Sequence, residues 1–403
     1  MTTDPPPTPV DSPPGPPPGP LAGVRVLDLT AVVMGPLATQ ILGDLGADVI
    51  TIENRAGDIN RTMSRGPVRG LSGVSLNLLR NKRNLTIDIA RPQGRQALLR
   101  IAATSDVFVT NLRPASLERL KLEYPDVAAV RPDIIYCQAN GFPSGERAND
   151  PAFDDIIQAA SGVPDLFARA GLEPTLMPTL LADKVSGLVI TYAIIAALFH
   201  RERTGQGQRV EIPMTDALQA FLLAEHGGSA IAGRGPAGYP RILTPNRAPA
   251  RTMDGWIAIQ PHRDDQWKAL VKAAGLDDLI EDPRLTNRGL WHEPRFGYET
   301  LGRVLATKTT GQWLAFCSEH GIPAAEAAGL DELIDSLPDA EHAATGTTYK
   351  LIPPPVRFSA SPASVRRSAP LAGQHNREVL AEVGLTDAEI DALDAANVLG
   401  GSA

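Results

Sequence analysis

The sequence predicts an α/β protein: a Rossmann-like parallel-sheet large domain with a smaller α+β domain. Three observations carry this. Runs rich in Val, Ile and Leu recur without polar alternation, as strands covered on both faces require. Segments of helical character separate them at βαβ spacing. A Gly- and Pro-rich stretch at 233–249 then breaks the pattern, and a hairpin signal follows it.

The elements are expected in this order. Residues 24–29 form the first strand. A small-residue turn leads to a helix reaching Gly43, with Pro36 in its first turn, where the missing N–H is not needed. Residues 48–53 are the second strand, which makes a βαβ unit of about thirty residues. Further strands are expected at 84–89, 106–110 and 133–137, with a helix at 93–103. The chain turns helical from 153 to 199. A polar connector follows at 201–208, and an apolar pattern resumes at 210–223. Asp254-Gly255 between strand-like runs signals a hairpin turn. Two helices carrying Trp267 and Trp313 follow, and a last helix spans 387–397. The expected division is a Pro-rich disordered tail at 1–20, a large domain from 21–225 and 340–403, and linkers with a small domain at 226–339.

Composition narrows the function. The chain has 403 residues, 43% hydrophobic and 21% charged, with a formal net charge of −8, so a nucleic-acid partner is not expected. Residues 1–20 hold ten prolines and no Lys or Arg, which is unlike a signal peptide. The longest nearly unbroken apolar run, 185–199, is short for a bilayer and reads as a buried helix. A cytoplasmic protein without a membrane partner is expected. Cys137 and Cys317 are far apart, show no metal-ligand spacing and read as buried thiols. No metal is expected.

Several residues are candidates for chemistry. Glu53, ending the second strand, invites a dinucleotide reading, but Gly35 and Gly43 do not form G-x-G-x-x-G. Asp183 stands just before the apolar helix. From pattern alone it reads first as an N-cap, and the same physics would serve a nucleophile, because helix N-termini favour an ionised carboxylate. Asp154 and Asp155 suit a helix start. Arg55, Lys82, Arg83, Arg113 and Arg119 lie near strand ends, where together they could make a phosphate patch.

The blocks in order resemble the class III (CaiB/BaiF-type) CoA-transferases. Leu21-Ala22-Gly23-Val24-Arg25-Val26-Leu27-Asp28-Leu29 is followed by Gly35-Pro36, then Leu42-Gly43-Asp44-Leu45-Gly46-Ala47-Asp48-Val49, Ile52-Glu53, Gly57-Asp58 and Arg61. Asn81-Lys82-Arg83-Asn84-Leu85-Thr86-Ile87-Asp88 and Asn111-Leu112-Arg113-Pro114 come next. Pro370-Leu371, Gly373, His375 and Arg377 lie near the end. The resemblance implies that Asp183 is the catalytic carboxylate. It places Arg55, Asn111, Leu112 and Arg119 on or beside coenzyme-A-contacting positions, with Ile89 and Arg113 in the same set. Val33 and Met34 fall in the loop lining the thioester end, and Phe153 and Asp154 near the CoA chain. Coenzyme A is then a co-substrate with no cofactor permanently bound. The partners are an acyl-CoA and a carboxylic acid, and the assembly is an interlocked homodimer.

Two departures bear on the substrate. Formyl- and oxalyl-type members carry Gln where this chain has Val33, and no glycine-rich loop appears between Gly238 and Asp254. The racemase branch has a His-Asp pair where this chain has Phe153-Asp154, and Phe153 cannot serve as one of the two bases that racemisation needs. An α-methylacyl-CoA racemase-like isomerase and a non-catalytic CoA-binding relative are the alternatives.

Overall fold

The structure, a computed structural model, describes residues 19–286 and 293–401. Most of the Pro-rich tail, residues 1–18, lies outside the described residues. Contacts divide the chain into two units. The first comprises residues up to Phe153, Leu181–Ala217 and Leu337–Ala403, and the second comprises Asp154–Leu180 and Leu218–Ser336. The second unit therefore takes in a stretch, 154–180, that the sequence grouped with the large domain.

The first unit is built on β1 (Arg25–Leu29), β2 (Asp48–Glu53), β3 (Lys82–Thr86), β4 (Val107–Thr110), β5 (Ile135–Asn140) and β6 (Gln208–Pro213). They form one parallel sheet in the order β3-β2-β1-β4-β5-β6. The chain reverses its direction of travel across the sheet between β1 and β4, a topological switch point. Helices α1 (Met34–Asp44), α2 (Gly73–Leu78), α3 (Pro92–Ala103), α4 (Pro114–Leu120) and α5 (Tyr124–Ala128) connect the strands. One apolar core joins Leu27, Ile50, Leu85, Leu98, Ile101, Phe108 and Tyr136 to Val379, Leu380, Ile390 and Val398 from the C-terminal segment.

Strand β3 starts earlier than its apolar pattern suggested, because Lys82, Arg83 and Asn84 are buried with partners. Lys82 Nζ donates to Asp28 at 3.1 Å, to the Pro36 carbonyl at 3.0 Å and to Thr39 at 2.6 Å. Arg83 bonds Asp48, Glu378 and Glu382. Buried polar groups persist where they are paired. Neither cation is available for a phosphate patch, which corrects that expectation for both.

Helix α8 (Leu181–Thr204) packs on α1, β5 and β6. A Cβ at Gly187 would meet the Met34 carbonyl at 2.9 Å, so glycine permits the close approach of α8 to α1. At 24 residues α8 is longer than its unbroken apolar run and is long and apolar enough to cross a membrane, yet half of its most apolar stretch is buried in the fold. Asp183 falls inside the first turn of α8, not at the N-cap before it.

The second unit begins with α6 (Asp154–Ala160) and α7 (Val163–Arg169). Helix α9 (Met214–His226) follows β6 and runs from the first unit into the second. After the short helix α10 (Gly228–Ile231), β7 (Ala250–Arg251) and β8 (Trp256–Ile259) make the expected antiparallel hairpin, and β9 (Ala324–Glu326) extends it. Helices Asp264–Ala273, Pro294–Leu305 and Thr310–Glu319 supply a core around Trp267, Leu270, Val304 and Trp313.

Candidate functional site

A cleft of about 240 Å³ opens at the carboxyl ends of β1, β4 and β5, the edge where ligands bind in open α/β sheets. Its lining comes entirely from the first unit. Met34 follows β1, Asn111 and Arg113 follow β4, and Ala139, Asn140 and Gly141 close β5. Residues Ala148, Asp150, Pro151, Ala152 and Phe153 form one wall, and Asp183 and Met214 enter from the starts of α8 and α9.

The fold brings these groups together for local reasons. In the loop after β1, Val32 has φ of +72°, a conformation costly for a β-branched residue. Three polar side chains hold the loop. Asp58 accepts from the Val32 N–H at 3.1 Å, and the Asn60 amide donates to the Val32 carbonyl at 3.4 Å. Asn111 clasps Ala31 with both ends of its amide, at 3.1 Å to its N–H and 2.9 Å to its carbonyl. Burial pushes the Asp58 carboxyl up, and N–H bonds from Asn60 and Val32 pull against that. This clamp fixes the loop from which Met34 enters the cleft.

Asp183 is buried in the first turn of α8. A carboxylate in a helix's first turn is favoured by the dipole and the unpaired N–H groups there. An ionised carboxylate can attack an electrophilic carbonyl. The cysteines offer no rival nucleophile: both are buried, and burial pushes Cys137 up to about 12 and Cys317 up to about 11. Among the described residues no group of His, Cys, Asp or Glu could hold a metal ion.

Of the residues singled out in the sequence, Met34, Asn111, Arg113, Phe153 and Asp183 line the cleft. Phe153 is 67% exposed, and Arg113 reaches the Asn149 carbonyl at 3.5 Å. The others stand elsewhere. Val33 is buried at the N-cap position of α1. Arg55 donates to Asn397 near the C-terminus. Ile89 and Leu112 pack on the apolar core, and Arg119 is exposed in the last turn of α4. Asp154 is buried at the start of α6, in the second unit, and accepts from Gln158.

Among the lining residues that were not anticipated, Asn140 stands apart. Asn140 is 4% exposed, and neither its amide nitrogen nor its oxygen has a partner. Leaving a buried polar group unsatisfied costs about 1–3 kcal/mol. The sequence reading ended β5 at Cys137, three residues short of it. A polar residue closing an apolar strand before Gly141 was the available signal.

Comparison with known proteins identifies relatives over nearly the whole length. The model of CoA-transferase family III matches residues 21–376. A probable fatty acyl-CoA transferase of Mycobacterium tuberculosis is 32% identical, over 90% of this chain and 97% of its own. A succinate–glutarate CoA-transferase of Agrobacterium fabrum is 29% identical, over 90% and 95%. A solved CAIB/BAIF family protein of Brucella suis superposes with a TM-score of 0.77 at 27% identity, covering 91% of this chain and 99% of that one.

Proposed function

Since the chain belongs to CoA-transferase family III and is thereby an enzyme of the CoA-transferase class, we propose that it moves coenzyme A from an acyl-CoA donor to a carboxylic-acid acceptor with Asp183 as the covalent nucleophile. The observation that carries this is Asp183 lining a cleft at the switch point of the parallel sheet.

The chemistry follows from a carboxylate meeting a thioester. An Asp183 oxygen adds to the acyl carbonyl, and collapse expels the CoA thiolate, leaving a mixed anhydride. The thiolate attacks the aspartyl carbonyl, which releases the donor acid and leaves an aspartyl-CoA thioester. The acceptor acid then runs these steps backwards. One thioester replaces another, so no ATP is needed. Anhydrides hydrolyse, so the site must exclude water during each turnover. Coenzyme A is the co-substrate of this reaction. Arg113 on the cleft rim supports anion binding; Arg55 and Arg119 remain candidates for the nucleotide end.

The substrate is read from the lining. Met34, Phe153, Met214 and three alanines give the cleft an apolar body. Each methylene buried is worth roughly 0.8 kcal/mol. Medium or branched acyl chains should therefore exceed formate and oxalate in kcat/KM by orders of magnitude. The name of the mycobacterial relative agrees with this, and that of the Agrobacterium relative marks four- and five-carbon diacids as the competing class. Acyl-CoAs incubated with a panel of free acids of graded length, with mass-spectrometric readout, test it. Exchange with the panel supports the transferase, and formate or oxalate as best acceptor would defeat the apolar reading while leaving Asp183 in place.

A homodimer also belongs to this proposal. Leu188, Tyr192 and Phe199 form an exposed apolar stripe on α8, 57%, 63% and 62% accessible, at the spacing of a helix face.

A further inference from the structure

Asn140 is unlike every other buried side chain among the described residues: both ends of its amide lack a partner. Its place makes this informative. It is the last residue of β5 and lines the same cleft as Asp183. The cleft's other amide is committed, because Asn111 holds Ala31 with both its nitrogen and its oxygen. Gln138, also on β5, accepts from Arg209. A leucine would fill position 140 without stranding a polar group, so the fold alone gives no reason for an amide. A buried amide that no protein group satisfies, at the wall of a cleft, is placed to be completed by what enters the cleft.

We propose that Asn140 is a further catalytic residue: its Nδ2–H donates to the acyl carbonyl oxygen of the thioester that Asp183 attacks. The proposal rests on Asp183 being the nucleophile. An Asp183 oxygen forms a bond to the carbonyl carbon, and the π pair moves onto the carbonyl oxygen. That oxyanion accepts the Asn140 hydrogen bond. The pair returns as the C–S bond breaks and the thiolate leaves; no proton changes hands. A neutral donor suits this step. Lys or Arg at position 140 would pair with the Asp183 carboxylate and blunt it as a nucleophile. Donors fixed in advance at the position of a developing oxyanion lower the barrier without raising affinity for the ground state. The Asn140 oxygen in turn suits an N–H, which the amides of the pantetheine arm supply.

Asn140→Leu and Asn140→Ser separate catalysis from structure. The leucine variant should keep or raise the melting temperature and keep KM for acyl-CoA within about threefold. Its kcat should fall by roughly 10² to 10³, the usual effect of losing one oxyanion donor. The serine variant, which retains a shorter donor, should fall between it and the parent. Single-turnover mass spectrometry of the Asp183 adduct with acyl-CoA should show it forming in the leucine variant, slowed to the same degree. Equal adduct rates in parent and leucine variant overturn the Asn140 proposal alone, whereas no adduct on Asp183 in the parent overturns the nucleophile reading. A drop in melting temperature in both variants, or a rise in KM with kcat unchanged, also overturns it, by making Asn140 structural or merely a binding contact.

Discussion

At the scale of the residue, Asp183 and its neighbours divide the work between chemistry and placement. Asp183→Ala should abolish transfer, with kcat falling on the order of 10³-fold or more. Alanine keeps helix propensity in the first turn of α8, so the fold should survive. Steady-state rates, CoA binding by calorimetry and a melting curve check this together. Transfer within about tenfold of the parent would mean that the nucleophile lies elsewhere. The loop carrying Met34 shows the other half of the division. Its left-handed valine is held by Asp58 and Asn60, side chains that touch the loop and do not line the cleft.

At the scale of the element, β3 shows how an edge is managed. A free edge strand exposes unpaired N–H and C=O groups. Here the C-terminal segment covers it. His375 donates its N–H to the Asn84 carbonyl at 3.1 Å, while its Nδ1 accepts the Asn84 N–H at 3.1 Å. Asn376 accepts from the Thr86 N–H at 2.9 Å. A ring nitrogen that accepts must be unprotonated. Burial accordingly holds the His375 pKa below its usual 6.5. The unfolded chain then binds more protons than the native one in the window from 6.5 down to the depressed value, so stability should fall as pH drops through that window. Melting curves from pH 7.5 to 5 should show the decline, and His375→Asn should flatten it. An unchanged slope in the variant would mean that other groups set the acid response.

At the scale of the whole molecule, assembly and tail are the quantities to measure. Gly19 already packs on Leu45: a Cβ there would collide with the Leu45 carbonyl oxygen, and the Ala22 N–H donates to the Gly19 carbonyl at 3.0 Å. The truncation to test thus removes 1–18 rather than 1–20. That segment is short of apolar residues to bury. Full-length and truncated chains should both be dimers by mass photometry, with equal activity and melting temperature within about a degree or two. A monomer that retains full activity would defeat the dimer, and a drop of several degrees would give the tail a structural role.

The sequence by itself determined five of the six strands of the sheet, all but β6, together with the hairpin at Asp254-Gly255 and the Asp183 candidate. These depend on local signals: unbroken Val and Ile runs, turn chemistry, and a short acid at a helix start. Tertiary structure alone decided which polar residues are structural and which face the cleft. Lys82 and Arg83 looked like phosphate ligands until Asp28, Asp48, Glu378 and Glu382 claimed them. Arg55 was drawn to Asn397 from 342 positions away in the chain, and the C-terminal segment was drawn to β3. For Asn140 the local signal was only a polar residue at the end of an apolar strand, because an unsatisfied amide is defined by what surrounds it. A charge or a donor acquires its role from the partners that long-range packing brings within 3 Å, and no local pattern encodes partners hundreds of residues distant.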